Sequence, residues 1–235
     1  MPAFRLAVAQ GADGVELDVA LSADGAPIVI HDDTVDRTTD GAGRVDQLTL
    51  AQLQQLDASL PGKFGAQFAG ERIPTLDEVF RALPAPALIN VELKRDTSPG
   101  GKLAAEVVAL VRAHGLDQRV WFSSFNYDNL ARLKRLAPAL PVGLLYAPDE
   151  PLRMLQAWLW PGVRAQAQHP YHLLAQAPAV RWWHWRGYRV NVWTVNTAPE
   201  LRRAMRRGAD GVITNYPDVA VRVRRELAAP RPPTL

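Results

Sequence analysis

The chain has 235 residues, 48% of them hydrophobic and 22% charged, with 27 Lys plus Arg set against 24 Asp plus Glu. That length fits a single domain with a large core, and a formal charge of +3 is too balanced to announce a nucleic-acid or anionic-membrane partner. Cysteine is absent, which excludes a disulfide framework, a thiolate metal site and a cysteine nucleophile.

No run approaches the roughly eighteen apolar residues of a membrane helix. Met1-Pro2-Ala3-Phe4 lacks the basic start and apolar core of a signal peptide. The expectation is a cytoplasmic chain with no membrane span; oligomeric state is not legible. In chain order, RLAVAQ reads as helix ending at Gly11, and GVELDV as a strand over 14–19. The same helix-Gly-turn-strand join recurs at 208–216 (GADGVITNY) and, with other turn residues, at Gly115 and Gly187, which indicates one supersecondary unit used repeatedly. Between Asp18 and Thr75 the alternation breaks into an insertion, about 19–74, too long for an ordinary connection and therefore expected to be functional. Within it PIVIHDD reads as a short strand ending in His31, and Thr49 to Leu56 as a small helix.

Further strands are expected at 87–93, 119–124, 141–146, 164–168, 189–195 and 210–214, and helices at 102–114, 128–137 and 198–207. Thr75 with Glu78 and Thr197 with Glu200 have the spacing of capping boxes. Strands alternating with helices imply parallel pairing, either a (β/α) barrel or an open doubly wound sheet, here with seven strands. A single domain over 1–226 and a disordered tail over 227–235 (LAAPRPPTL) complete the reading.

Side chains at i and i+2 of a strand point to one side. Glu16 and Asp18 therefore project together, as do Glu92 and Lys94 in INVELK. With four Lys against 23 Arg, a Lys inside a strand calls for an explanation. Three carboxylates gathered without compensation would cost several kcal/mol per ion. Ordinary ion pairs with Lys or Arg would remove that cost, and so would a divalent cation, for which oxygen ligands favour calcium or magnesium. Two such pairs in two core strands favour a site.

His31, before Asp32 and Asp33, suits a general acid whose tautomer a carboxylate fixes, though a hydrogen-bonded loop residue reads equally well. His114 at a helix end reads as a dipole partner. His169 at a strand end fits a site or a structural role. Trp193 late in a strand could pack against a ligand or the core. Trp182, Trp183 and Trp185 share a helix and read as packing, and the Arg residues of 202–207 and 222–225 as solvated helix faces.

GADGVELDV, DGAPIVIHDDTVDRTTDGAGRV, IPTLDEVF, NVELK, SSFN, VNVWTVN and GADGVITNYPD follow one another in the order and spacing of the glycerophosphodiester phosphodiesterases. The resemblance covers nearly the whole chain. It implies a TIM-type (β/α)8 barrel that hydrolyses glycerophosphodiesters to glycerol 3-phosphate and an alcohol with Ca2+ or Mg2+. By position, Glu16, Asp18 and Glu92 match the metal ligands, His31 a catalytic acid/base, Lys94 a phosphate-stabilising cation and Trp193 a residue of the glycerol pocket. The expected partner is a small glycerophosphodiester or a lysophospholipid. A lysophospholipase D-like enzyme, or an inactive barrel that binds, are the alternatives.

Family members begin with a strand ending in His-Arg-Gly, then Pro-Glu-Asn-Thr. Neither is present here, so the reading frame is expected to be incomplete. The first barrel strand, a second catalytic His and a phosphate-binding Arg would then be missing, which accounts for seven strands and implies impaired activity.

Overall fold

The computed structural model describes residues 1–150 and 163–229. The chain forms two compact units, the first of Met1–Leu6 with Asp13–Val142, the second of Ala7–Ala12 with the chain from Gly143 onward. Helix α1 (Pro2–Ala9) precedes strand β1 (Gly14–Leu21). The first unit then continues through β2 (Pro27–Val29), α2 (Leu50–Leu53), α3 (Pro61–Phe64), α4 (Leu76–Ala82), β3 (Leu88–Leu93), α5 (Leu103–Ala113), β4 (Val120–Ser124) and α6 (Tyr127–Leu136). Its strands run in the order β2-β1-β3-β4, with β1, β3 and β4 parallel and β2 antiparallel to β1. The second unit holds β5 (Val142–Tyr146), β6 (Ala167–Pro170), α7 (Ala177–Trp185), β7 (Arg189–Val192), α8 (Ala198–Arg206), β8 (Gly211–Val212) and α9 (Pro217–Ala228), its four strands parallel in sequence order.

Among the described residues the seven expected strands are all present, and the additional strand is the antiparallel β2 in the insertion. Several boundaries differ from expectation. β6 lies at 167–170 rather than 164–168: Ala167 to Pro170 are all buried, and the strand runs through the His-Pro pair. β7 stops at Val192 and β8 has two residues, because pairing gives way to a lone bridge between Tyr171 and Trp193 and to loops. β2 ends at Val29, two residues short of His31. Helix α9 reaches Ala228, into the segment expected to be disordered, while 230–235 lie outside the described residues.

The repeated join has one backbone cause. Gly11, Gly115, Gly187 and Gly208 have φ of 86°, 63°, 84° and 94°, the left-handed conformation that ends a helix and that a Cβ disfavours. At the entry to α4 the Thr75 amide donates to Glu78 at 2.8 Å and the Glu78 amide to Thr75 Oγ1 at 3.1 Å. Thr75→Ala should cost about 1 kcal/mol, read as a fall in Tm of roughly 2–4 °C for a chain of this size. Thr197 caps α8 by accepting from the Glu200 amide, and its hydroxyl donates to Glu200 Oε2 at 2.7 Å. A further box, Thr49 with Gln52, caps α2.

The insertion packs on itself. Ile28, Ile30, Val35, Val45, Leu53 and Ile73 form a core cluster of their own, with Leu48, Leu50 and Leu56 against it. In the second unit Trp183 of α7 is fully buried, as expected, whereas Trp182 and Trp185 are not: they are 38% and 79% exposed. Helical spacing explains the split, since Trp183 follows buried Val180 by three residues and the other two point away.

His169 of β6 is fully buried, and its Nε2 accepts from Asn191 Nδ2 at 3.0 Å. It serves the second unit's core. Burial depresses its pKa to about 3. A histidine kept neutral in the fold contributes stability above its unfolded pKa, and that stability is lost as pH falls from about 6.5 towards 3. The slope should be at most ~1.4 kcal/mol per pH unit. Urea midpoints measured from pH 7 to 4.5 should fall in wild type and fall less in His169→Gln.

Candidate active site

Strand alternation builds the site. In β1, Val15, Leu17 and Val19 are buried on one face, and Glu16, Asp18 and Ala20 occupy the other. The parallel register sets Glu16 beside Asn90 and Asp18 beside Glu92. One ligand oxygen from each of Glu16, Asp18 and Glu92 lies within 4.8 Å of the others. Lys94 Nζ donates to Asp18 at 3.2 Å and to Glu92 at 3.1 Å, with all three side chains largely buried. Glu16 makes no hydrogen bond or ion pair among the described residues.

The electrostatics follow from that imbalance. Burial, then the charges of Asp18 and Glu92, push the Glu16 carboxyl well above its usual range, with Lys94 opposing. Burial also raises Glu92, against the pull of Lys94. At Lys94 burial works against the ammonium, but Glu92 and Asp18 outweigh it and hold its pKa above the ordinary lysine value. One lysine therefore compensates two carboxylates and leaves the third.

The residues fit a hard divalent cation. Beside the three carboxylates, Asn90 is buried with neither amide atom hydrogen-bonded, and Ser123, in register with Glu92, is buried with its hydroxyl unpartnered. Carboxylate, amide and hydroxyl oxygens are the donors such ions take, directly or through water. The alternation that pairs Glu92 with Lys94 also selects Asn90 one step back, a signal that a reading based on charge leaves unused. For Ser123 the second serine of SSFN hides the choice: Ser124 instead bonds the Leu93 carbonyl at 2.6 Å.

His31 stands at the rim. The Ile30 amide donates to the Asp18 carbonyl at 3.0 Å, which ties the backbone just before His31 to β1. The imidazole's charge is felt at Glu92, whose pKa it lowers. His31 Nδ1 is 2.7 Å from Asp32 Oδ1, and Asp32 also accepts from Arg37 at 2.6 and 2.9 Å. Arg37, then His31, hold the Asp32 carboxyl far below its usual range. Asp32 thus stays an acceptor and fixes the Nδ1–H tautomer, which leaves Nε2 for proton exchange. His114, the other imidazole of this unit, bonds Asp77 at 2.8 Å from the end of α5.

A cavity of about 70 Å³ adjoins the rows on the insertion side, lined by Ala20, Asp33, Arg44, Asp46, Arg95 and Thr97 among others. Ala20 continues the row of Glu16 and Asp18 and keeps its floor open. Trp193 belongs to the second unit, where its indole N–H donates to the His169 carbonyl at 2.6 Å and its ring meets Tyr171 edge-on. The structure thus brings together five of the six candidate residues and places Trp193 in the second unit's own packing.

This chain is similar to several known phosphodiesterases. A glycerophosphodiester phosphodiesterase of Caldanaerobacter subterraneus subsp. tengcongensis is 37% identical over 226 residues, which cover 95% of this chain and 90% of that protein. An Oleispira antarctica phosphodiesterase solved with the product sn-glycerol-3-phosphate is 31% identical at a TM-score of 0.82, covering 94% of this chain and 89% of that one. Glycerophosphodiester phosphodiesterase from Thermotoga maritima is 27% identical at a TM-score of 0.71, covering 95% and 90%. These neighbours are TIM-barrel enzymes, and the α/β fold here is of that type. The model of the glycerophosphoryl diester phosphodiesterase family matches residues 1–219, and with the acidic cluster in place the chain belongs to that family.

Proposed function

We propose that the chain is a metal-dependent hydrolase that cleaves glycerophosphodiesters to glycerol 3-phosphate and an alcohol, with calcium or magnesium held by Glu16, Asp18 and Glu92. The observation that carries this reading is the convergence of those three carboxylates, one of them uncompensated, beside Lys94 and His31. Supporting it, the Oleispira antarctica relative is in complex with sn-glycerol-3-phosphate. When bound, the cation polarises the phosphoryl oxygens.

The chain's own residues do the rest. Lys94, anchored by Asp18 and Glu92, sets a fixed positive charge where negative charge grows on the phosphoryl oxygens. Water attacks phosphorus as the bond to the leaving alcohol breaks; the imidazolium of His31 gives its Nε2 proton to the alcohol oxygen, and the neutral Nε2 then takes a proton of the attacking water. The cavity at Asp33 and Arg95 is proposed to admit the alcohol. Among the described residues of the first unit His31 is the one imidazole at the carboxylates, and it can serve only one of the two proton transfers at a time. Turnover of the 235-residue chain is therefore proposed to be slow, by ~10²–10⁴-fold relative to a site with two positioned groups.

Release of glycerol 3-phosphate from glycerophosphocholine, glycerophosphoethanolamine, glycerophosphoglycerol and a lysophospholipid, with each ion and with chelator, tests the reading. Ion-dependent release from a glycerophosphodiester is expected. Turnover of a nucleotide diester in preference to all of them would overturn the substrate class.

A further inference from the structure

The overall charge balance conceals a local asymmetry on α7. Residues 177–189, APAVRWWHWRGYR, contain three Arg and one His and no Asp or Glu. Val180 and Trp183 are buried and fix the inward side of the helix. At about 100° per residue, Trp185 then points directly outward, with Trp182, Arg181 and Arg186 flanking it. Their exposure agrees: Trp185 is 79% and Trp182 38% exposed, and both arginines are exposed. The Arg186 guanidinium lies 5.3 Å from the centre of the Trp182 ring, so the two form one cationic-aromatic surface.

The neighbouring element does not neutralise this face. Asp210 approaches α7 but is already engaged by His184 at 2.8 Å, Arg189 at 2.8 Å and the Val190 amide at 2.9 Å. Beside it, α8 ends in Arg203 and Arg206, both exposed. Trp185, 79% exposed, is a large apolar ring left at the surface, with the partly exposed Trp182 beside it. Such rings are stable at the boundary between lipid headgroups and acyl chains, where an apolar body and a polar N–H are both accommodated. Exposed arginines around them, with no free carboxylate on the helix, complement an anionic surface.

We propose that the outward face of α7, Trp182 and Trp185 with Arg181 and Arg186, docks on an anionic phospholipid bilayer. The indoles insert at the headgroup level and the guanidinium groups pair with lipid phosphates. This surface lies outside the proposed hydrolase site, and binding is read without turnover.

Sedimentation with phosphatidylcholine vesicles, and with vesicles containing about a third phosphatidylglycerol, tests it. Binding to the anionic vesicles is expected at 50 mM salt, weakened several-fold at 300 mM because exposed charges are screened. Trp182→Ser/Trp185→Ser should lower the partition constant at least ~10-fold, and Arg181→Gln/Arg186→Gln should remove the preference for anionic vesicles. Because all four side chains are exposed, circular dichroism and Tm should match wild type in both variants. No sedimentation of wild type with anionic vesicles at low salt would overturn the proposal. So would a wild-type dimer in analytical ultracentrifugation that the tryptophan variant dissociates, since the face would then belong to a second copy.

Discussion

Glu16→Gln/Asp18→Asn should weaken calcium and magnesium binding by at least ~10²-fold in titration calorimetry, because loss of even outer-shell partners costs 10–100-fold. Thermal stability of the ion-free double variant should not fall. Burial drives the Glu16 carboxyl towards its neutral form, and Lys94 keeps Glu92 as a partner when Asp18 is neutralised. Removing charge that the fold holds at a cost relieves it. An unchanged Tm with lost ion binding identifies a metal site; a lower Tm with retained binding would mean the carboxylates serve the fold.

Gly14→Ala should be the most damaging small substitution in the first unit. A Cβ there would lie 2.4 Å from the Leu88 carbonyl oxygen and 2.9 Å from its carbonyl carbon, so backbone must move. Forcing atoms into such a contact costs typically ~1–3 kcal/mol, or a Tm lower by roughly 2–10 °C. The strands that part are β1 and β3, which carry all three carboxylates, and Glu16 is two residues away. Ion affinity should therefore fall along with Tm. Gly62→Ala is the control: nothing lies within 4 Å of its Cβ, and neither quantity should change.

Much of the carboxylate site was legible because strand alternation is a local rule. Glu16, Asp18, Glu92 and Lys94 need only their own strands to face together, and the parallel register then sets Asp18 beside Glu92. The helix ends were legible for the same reason, since a left-handed glycine or a capping threonine acts within four residues. What sequence could not supply depends on contacts distant in the chain. The Asp32–Arg37 pair that orients His31, the unpartnered amide of Asn90 and the outward turn of Trp185 emerge only once neighbouring elements are in place. Strand ends were misplaced where polar residues continue a strand, as in the buried Ala167-Gln168-His169-Pro170 run.

The insertion's private core has a consequence for how this catalyst can change. Ile30, one residue before His31, packs with Val35, Val45 and Leu53, whereas the carboxylates are carried by β1 and β3. The proton transfer proposed for His31 and the ion binding proposed for the carboxylates thus rest on two modules, joined by the antiparallel β1–β2 pairing and the Ile30–Asp18 backbone bond. Substitutions that loosen the insertion should retune the timing of protonation while ion affinity is preserved. A lineage could exchange the whole insertion, and with it the alcohol site proposed there, without rebuilding the strands beneath.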